Sequence, residues 1–431
     1  MKRQIFVGAL VHSNEKRELI TVDRAAVLVE NGKIIDVIVN PEPSALIALE
    51  GHVTILNDKQ FLMPGLIDCH THAVQFPNLG LGYDKNLLDW LEKYTFPLEK
   101  KYVDEEFAKY VFQTIVKRTL IMGTTTACYF ASLYGKASME LARSVAHLGQ
   151  RAFIGKVNMN SHRDDGYYEN TAESIKNTIQ FINDILDLDN HLIKPIITPR
   201  FALSCDMELM KELGKLAKER DLHIQTHISE NVDEVKAVRN MFKEYPSYAS
   251  VYNAAGLLTN KTILAHAIHL TEDEIVLLKQ NDTAIIHCPS SNTCLKSGMC
   301  DVQKLKSKGL KIGLGTDVAG GQSSSMVDAM RSALQVSTNL AMFKNDYESL
   351  NYKDVFYMAT LGGAISLGIN KEVGNLIPGK EFDALVVDMS VSNGPIDDLM
   401  TYTLEEQLQR FIYSGDDRNI VEVYVSGYKV K

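Results

Sequence analysis

No stretch of this 431-residue sequence approaches the roughly 20 consecutive apolar residues that a membrane-spanning helix needs. In the opening segment MKRQIFVGALVHSNEK, two basic residues precede only six apolar ones, too few for a signal-peptide core. Cysteine is sparse. The six residues (Cys69, Cys128, Cys205, Cys288, Cys294 and Cys300) show no C-x-x-C spacing and no framework pattern. Free thiols and a cytoplasmic location are therefore expected. Positive charge is also in deficit: 45 Lys and Arg stand against 54 Asp and Glu, a net charge of −9, with no run of basic residues. That balance argues against nucleic acid or an anionic membrane as partner. What is present, 45% hydrophobic and 23% charged residues, is ordinary for a globular chain able to bury a large core.

Short β-rich runs occupy the first ~60 residues (QIFVGALVH, AAVLVENGKIIDVIV, HVTILN), divided by Asn-Gly and Pro-containing turns. The same character returns at Asp383–Asp388 and Val421–Lys429. This suggests one small β-sandwich domain built from both termini, residues 1–60 plus 375–431, with residues 61–374 inserted. Two unrelated β appendages are the alternative. In the insert, strand-like runs begin near residues 61, 123, 152, 193, 223, 262, 284 and 311. Amphipathic segments such as Asp206–Arg220 and Asp301–Lys308 lie between them. Eight such units predict a (β/α)8 TIM-type barrel of the α/β class. A doubly wound open sheet competes, but no Gly-rich phosphate fingerprint follows the first strand.

The chemistry-bearing residues sit at strand ends. His70 and His72 end the first strand, Arg200 the fourth, His227 the fifth, His266 the sixth and Asp317 the eighth. Side chains at the C-terminal mouth of such a barrel converge despite their separation in sequence. In His70-Thr71-His72, residues i and i+2 face one way, so both imidazoles can aim at one ion. Zinc or iron suits such a nitrogen and oxygen set. A cation so held lowers the pKa of a bound water toward neutrality, supplying a nucleophile for hydrolysis. Glu230, three residues past His227, is placed to shuttle protons without binding the ion. His12, His52, His147, His162 and His191 read as surface or loop residues, His223 and His269 as structural. His287, ending the seventh strand, reads either as support for the site or as packing.

The pattern Pro64-Gly65-Leu66-Ile67-Asp68-x-His70-x-His72, with His227, His266 and Gly315-Thr316-Asp317, resembles the amidohydrolase superfamily. Binuclear members carry a modified lysine at the fourth strand end, where this chain has none after Lys194; the His-x-x-Glu fits the mononuclear deaminase branch. Within that branch the chain is similar to the guanine-deaminating members over residues 55–345, in stretches such as LLDWLEKYTFPLE (87–99) and TPRFALSC (198–205). The resemblance implies one divalent ion per chain, Zn2+ or Fe2+, held by His70, His72, His227 and Asp317, with His266 binding it or orienting the water. It implies guanine as substrate, touched by Gln75, Arg200, Phe201, His227 and Glu230. Glu230, Asp317 and His266 would carry the catalysis, in a homodimer. Arg200, a fixed donor, suits the 6-oxo group of guanine better than the amino group of adenine. Asn78–Lys100 is the expected lid.

Overall fold

The computed structural model describes residues 3–42, 44, 46 and 50–431. Among the described residues five strands precede the one that carries the histidine pair: β1 (Gln4–Ser13), β2 (Leu19–Glu30), β3 (Lys33–Val39), β4 (His52–Ile55) and β5 (Gln60–Pro64). The pair lies in β6 (Leu66–His72), which is followed by β7 (Thr124–Phe130), β8 (Arg151–Gly155), β9 (Val157–Asn158), β10 (Ile193–Pro199), β11 (His223–Ile228), β12 (Thr262–His266), β13 (Ala284–His287) and β14 (Lys311–Leu314). The chain ends with β15 (Ala384–Asp388), β16 (Ile420–Val425) and β17 (Tyr428–Lys429).

The apolar run beginning at Phe61 is thus two strands rather than one. Gly65 is the break, because a Cβ there would lie 2.0 Å from Thr125 Oγ1. β5 pairs antiparallel with β15, whereas β6 pairs parallel with β7. Beyond Gly65, parallel strands run in the order β6-β7-β8-β10-β11-β12-β13-β14, with β9 a short extension against β10. Residues past β14 close the ring: Asp317 N donates to His70 O at 2.9 Å and His72 N to Val318 O at 3.0 Å. This is the expected eight-stranded TIM-type barrel. Both amphipathic segments form outer helices. Met207–Glu219 turns Leu209, Leu213 and Leu216 inward and is capped by Asp206, which accepts from Leu209 N at 2.8 Å. Val302–Ser307 is capped by Asp301 in the same way.

The terminal strands form one sheet in the order β17-β16-β15-β5-β1-β2-β3, with β4 also on β1. The β3 edge meets the segment that leads into β15, since Ile34 N donates to Lys380 O and Phe382 N to Gly32 O, each at 2.8 Å. The sheet therefore folds over its own apolar filling of Phe6, Leu10, Val27, Leu62 and Phe382. Strand alternation turns Phe61 and Met63 the other way, into the core shared with the barrel. Arg151, at the start of β8, pairs with Asp383 (3.1 Å) and Glu381 (2.7 Å) across that boundary. His12 is buried in β1 and accepts from Leu376 N at 3.1 Å, so it is not the surface residue expected. Burial, with Lys380 nearby, pushes its pKa down to about 4. Among the described residues no helix is long and apolar enough to cross a membrane.

Candidate active site

The strand ends deliver their side chains to one place. One ligand atom each from His70, His227, His266 and Asp317 lies within 4.8 Å of the others, and all four residues are buried. His72 joins them: its Nε2 is 3.1 Å from His227 Nε2 and 3.4 Å from Asp317 Oδ1. The donor set suits a cation. Among the described residues His70 Nε2 and His266 Nε2 are buried without a hydrogen-bond partner, although Asp317 Oδ1 approaches the former to 3.2 Å and Glu230 Oε2 the latter to 3.3 Å. Such atoms are costly unless something binds them. In two of the imidazoles the opposite ring nitrogen is fixed. His227 Nδ1 meets the Arg200 carbonyl at 2.6 Å and His266 Nδ1 meets Asn292 Oδ1 at 2.8 Å. Carbonyl acceptors there require N–H on Nδ1 and leave the Nε2 lone pairs for a metal.

Electrostatics follow from this packing. Burial, reinforced by the neighbouring imidazoles, holds His227 well below its usual pKa, and burial does the same for His72. Burial alone would raise Asp317, but His70, His266 and His72 outweigh it and keep the carboxyl ionised. Glu230 goes the other way. Burial, then the charges of Asp317 and Glu234, push it well above the carboxylate range. It is 4% exposed, its Oε2 is 3.3 Å from His266 Nε2, and Ser297 Oγ donates to its Oε1 at 3.4 Å. His266 and Asp317 adopt φ of 75° and 48°, strained backbone at the two residues that face Glu230.

Next to these groups lies a cavity, and Gln75, Arg200, Phe201, His227 and Glu230 all line it. Every site residue expected from the sequence is therefore brought together. The expected lid segment supplies apolar wall through Leu87, Trp90 and Leu91. It is tied down, with Tyr83 OH donating to Ala319 O at 2.9 Å. Of the two readings left open for His287, the structure favours packing: among the described residues neither ring nitrogen has a hydrogen-bond partner, and burial lowers its pKa to about 3. Gln75 and Arg200 do not stand free. Arg200 binds both oxygens of buried Glu99, at 2.6 and 3.1 Å. Gln75 donates to Glu99 at 3.1 Å and accepts from Ala319 N at 3.2 Å. Sequence reasoning missed Glu99, Asn292 and Asp68, which accepts from the Thr316 backbone and hydroxyl and from His70 N.

Residues 61–430 match the Amidohydrolase family. Guanine deaminase of Homo sapiens is 48% identical over 380 residues, 87% of this chain and 84% of that protein. The Dictyostelium discoideum guanine deaminase is 45% identical, covering 86% and 83%. A crystal structure of guanine deaminase from C. acetobutylicum with bound guanine in the active site superimposes with a TM-score of 0.93 at 36% identity, covering all of both chains.

Proposed function

The chain belongs to the amidohydrolase family, and from that premise and the geometry of its site we infer that it hydrolyses guanine to xanthine and ammonia. It is a hydrolase acting on a C–N bond. The observation that carries the substrate is the conjunction of a bound guanine in the C. acetobutylicum relative with a cavity here lined by Gln75, Arg200 and Phe201.

His70, His72, His227 and Asp317 would hold one divalent ion, with His266 beside it. Zinc is the ion proposed, because a set of imidazoles with one carboxylate suits it, and Fe2+ is the alternative outcome of a metal analysis. When bound, the ion supplies Lewis acidity and makes attacking water acidic enough to react near neutral pH.

The chain's own groups do the rest. His266 Nε2, aimed by Asn292, orients the attacking water. Asp317, held ionised, accepts the proton that water releases as its oxygen adds to C2. Glu230, held protonated, gives its proton to ring N3, so that charge does not build up on the purine. Asp317 then passes its proton to the 2-amino group, ammonia leaves as the C2 hydroxyl becomes a carbonyl, and the hydroxyl proton restores Glu230. Arg200 donates to the 6-oxo group, Gln75 reads the adjoining edge, and Phe201 with Trp90 and Leu91 flanks the ring. Discrimination against adenine comes from polarity, because an amino group would leave the Arg200 donors unpaired.

The proposal extends to a cytoplasmic homodimer divided into residues 1–60 plus 375–431 and residues 61–374. The six free cysteines support the location, and the two separate sheets support a division in two parts, with β5 (Gln60–Pro64) on the terminal side of it. Ammonia release from guanine, adenine, cytosine and methylthioadenosine tests the substrate. Turnover confined to guanine is expected. A preference for any other member of that set would transfer the assignment to a different aminohydrolase.

A further inference from the structure

Glu99 is 1% exposed and does not line the cavity. Two cavity-lining side chains and a tyrosine nevertheless converge on its carboxylate. Arg200 Nη1 donates to Oε2 at 2.6 Å and Nη2 to Oε1 at 3.1 Å. Gln75 Nε2 donates to Oε1 at 3.1 Å and Tyr167 OH to Oε2 at 2.9 Å. The Phe96 ring covers the guanidinium, with Arg200 Cζ 4.9 Å from its centroid. Such a fork-to-fork pair fixes the plane of the guanidinium as well as its position. Two of its N–H groups are spent on Glu99, while the side chain itself lines the cavity.

The geometry points to Glu99 as a positioning and specificity-determining residue: it aims Arg200 and Gln75 at the purine and cancels the charge of Arg200, so that the cavity binds a neutral oxopurine and releases a more acidic product. This rests on the guanine assignment. A buried guanidinium without a partner would be an unbalanced charge in a low dielectric, strongly attractive to any anion. Paired with Glu99, it presents donors without net charge, which a neutral carbonyl can accept. Exchanging the 2-amino group for a carbonyl makes the ring N–H more acidic, so xanthine becomes an anion at lower pH than guanine does. The pair thus withholds from the product the attraction that a lone Arg200 would exert.

The test compares wild type with Glu99→Gln, which keeps the volume and removes the charge. Steady-state constants for guanine are measured with inhibition by xanthine and by hypoxanthine. The pH is mildly alkaline, where xanthine is partly anionic and hypoxanthine remains neutral. For E99Q, KM for guanine should rise at least ~10-fold with kcat within ~3-fold, and xanthine should gain on hypoxanthine as inhibitor by about tenfold. A role confined to packing would weaken both inhibitors alike and leave their ratio at the wild-type value, which would overturn the inference. Should E99Q fail to fold, Tyr167→Phe keeps the ion pair and removes one hydrogen bond to Glu99. Its KM should rise ~3-fold at unchanged kcat, and an unchanged KM would overturn the inference. If wild type converts guanine and E99Q behaves like it, only the role of Glu99 fails. If wild type does not convert guanine, the functional assignment fails and this inference falls with it.

Discussion

Replacing Glu230 by Gln separates proton donation from everything else the site does. The side chain is 4% exposed and touches Ser297 Oγ and His266 Nε2 at 3.4 and 3.3 Å, contacts that an amide of the same volume can fill. Burial, with Asp317 and Glu234 nearby, keeps Glu230 protonated, so the exchange is neutral for neutral. Removing a charge beside the metal group would change cation affinity; this substitution removes none. Fold, metal content and KM should therefore stay near wild type. What is lost is the transferable proton, worth about 10²–10⁴ in rate, or about 3–5 kcal/mol of transition-state stabilisation. The assay is guanine turnover with metal content measured on the same preparation. The pH profile adds an independent readout. The protonated form is the working one, so wild-type kcat should fall as pH rises through the raised pKa of Glu230, and E230Q should lack that limb. A kcat within tenfold of wild type, at normal metal content, would refute the assignment.

Other consequences are equally direct. Asn292→Ala frees His266 Nδ1, which Asn292 holds at 2.8 Å, and should cost about 10–100-fold in metal affinity or turnover; a metal titration checks it. Arg151→Met strands Asp383 and Glu381, buried partners at 3.1 and 2.7 Å. It should destabilise the chain by about 3–5 kcal/mol, read as a lower denaturant midpoint, with the guanine KM unchanged. His12 titrates near pH 4 in the folded chain against 6.5 ordinarily. Between those values the unfolded state binds more protons, so stability is full above pH 6.5 and lost as pH falls toward 4, by up to about 3 kcal/mol. His12→Gln should flatten that window in thermal melts, and an unchanged slope would show that other groups set it.

The barrel and the metal-ligating residues were legible because local sequence carries them. Short apolar runs announce strands, and a polar residue closing such a run announces a strand end. His70, His72, His227, His266 and Asp317 all have that signature. Glu99 has none. It lies in LLDWLEKYTFPLE, where a glutamate ordinarily faces water, and its partner Arg200 is 101 positions away. Asn292 and Asp68 were hidden likewise, since their letters suit turns and caps as well as ring orientation. The division at Gly65 was illegible for a related reason. Apolar residues run on through it, and only the approach of Thr125 from another strand makes a side chain impossible there. His12 looked ordinary because its burial depends on Leu376, from the far end of the chain.

The central claim is that this cluster of imidazoles and one carboxylate holds a metal and deaminates guanine. It is tested most directly by following guanine with purified protein as prepared, after exhaustive chelation, and after restoring Zn2+ or Fe2+. Stoichiometric xanthine and ammonia should form, cease on chelation and return on restoring the ion, with one ion bound per chain at full activity. Turnover that survives complete metal removal, or metal-replete protein that leaves guanine unchanged, would contradict it.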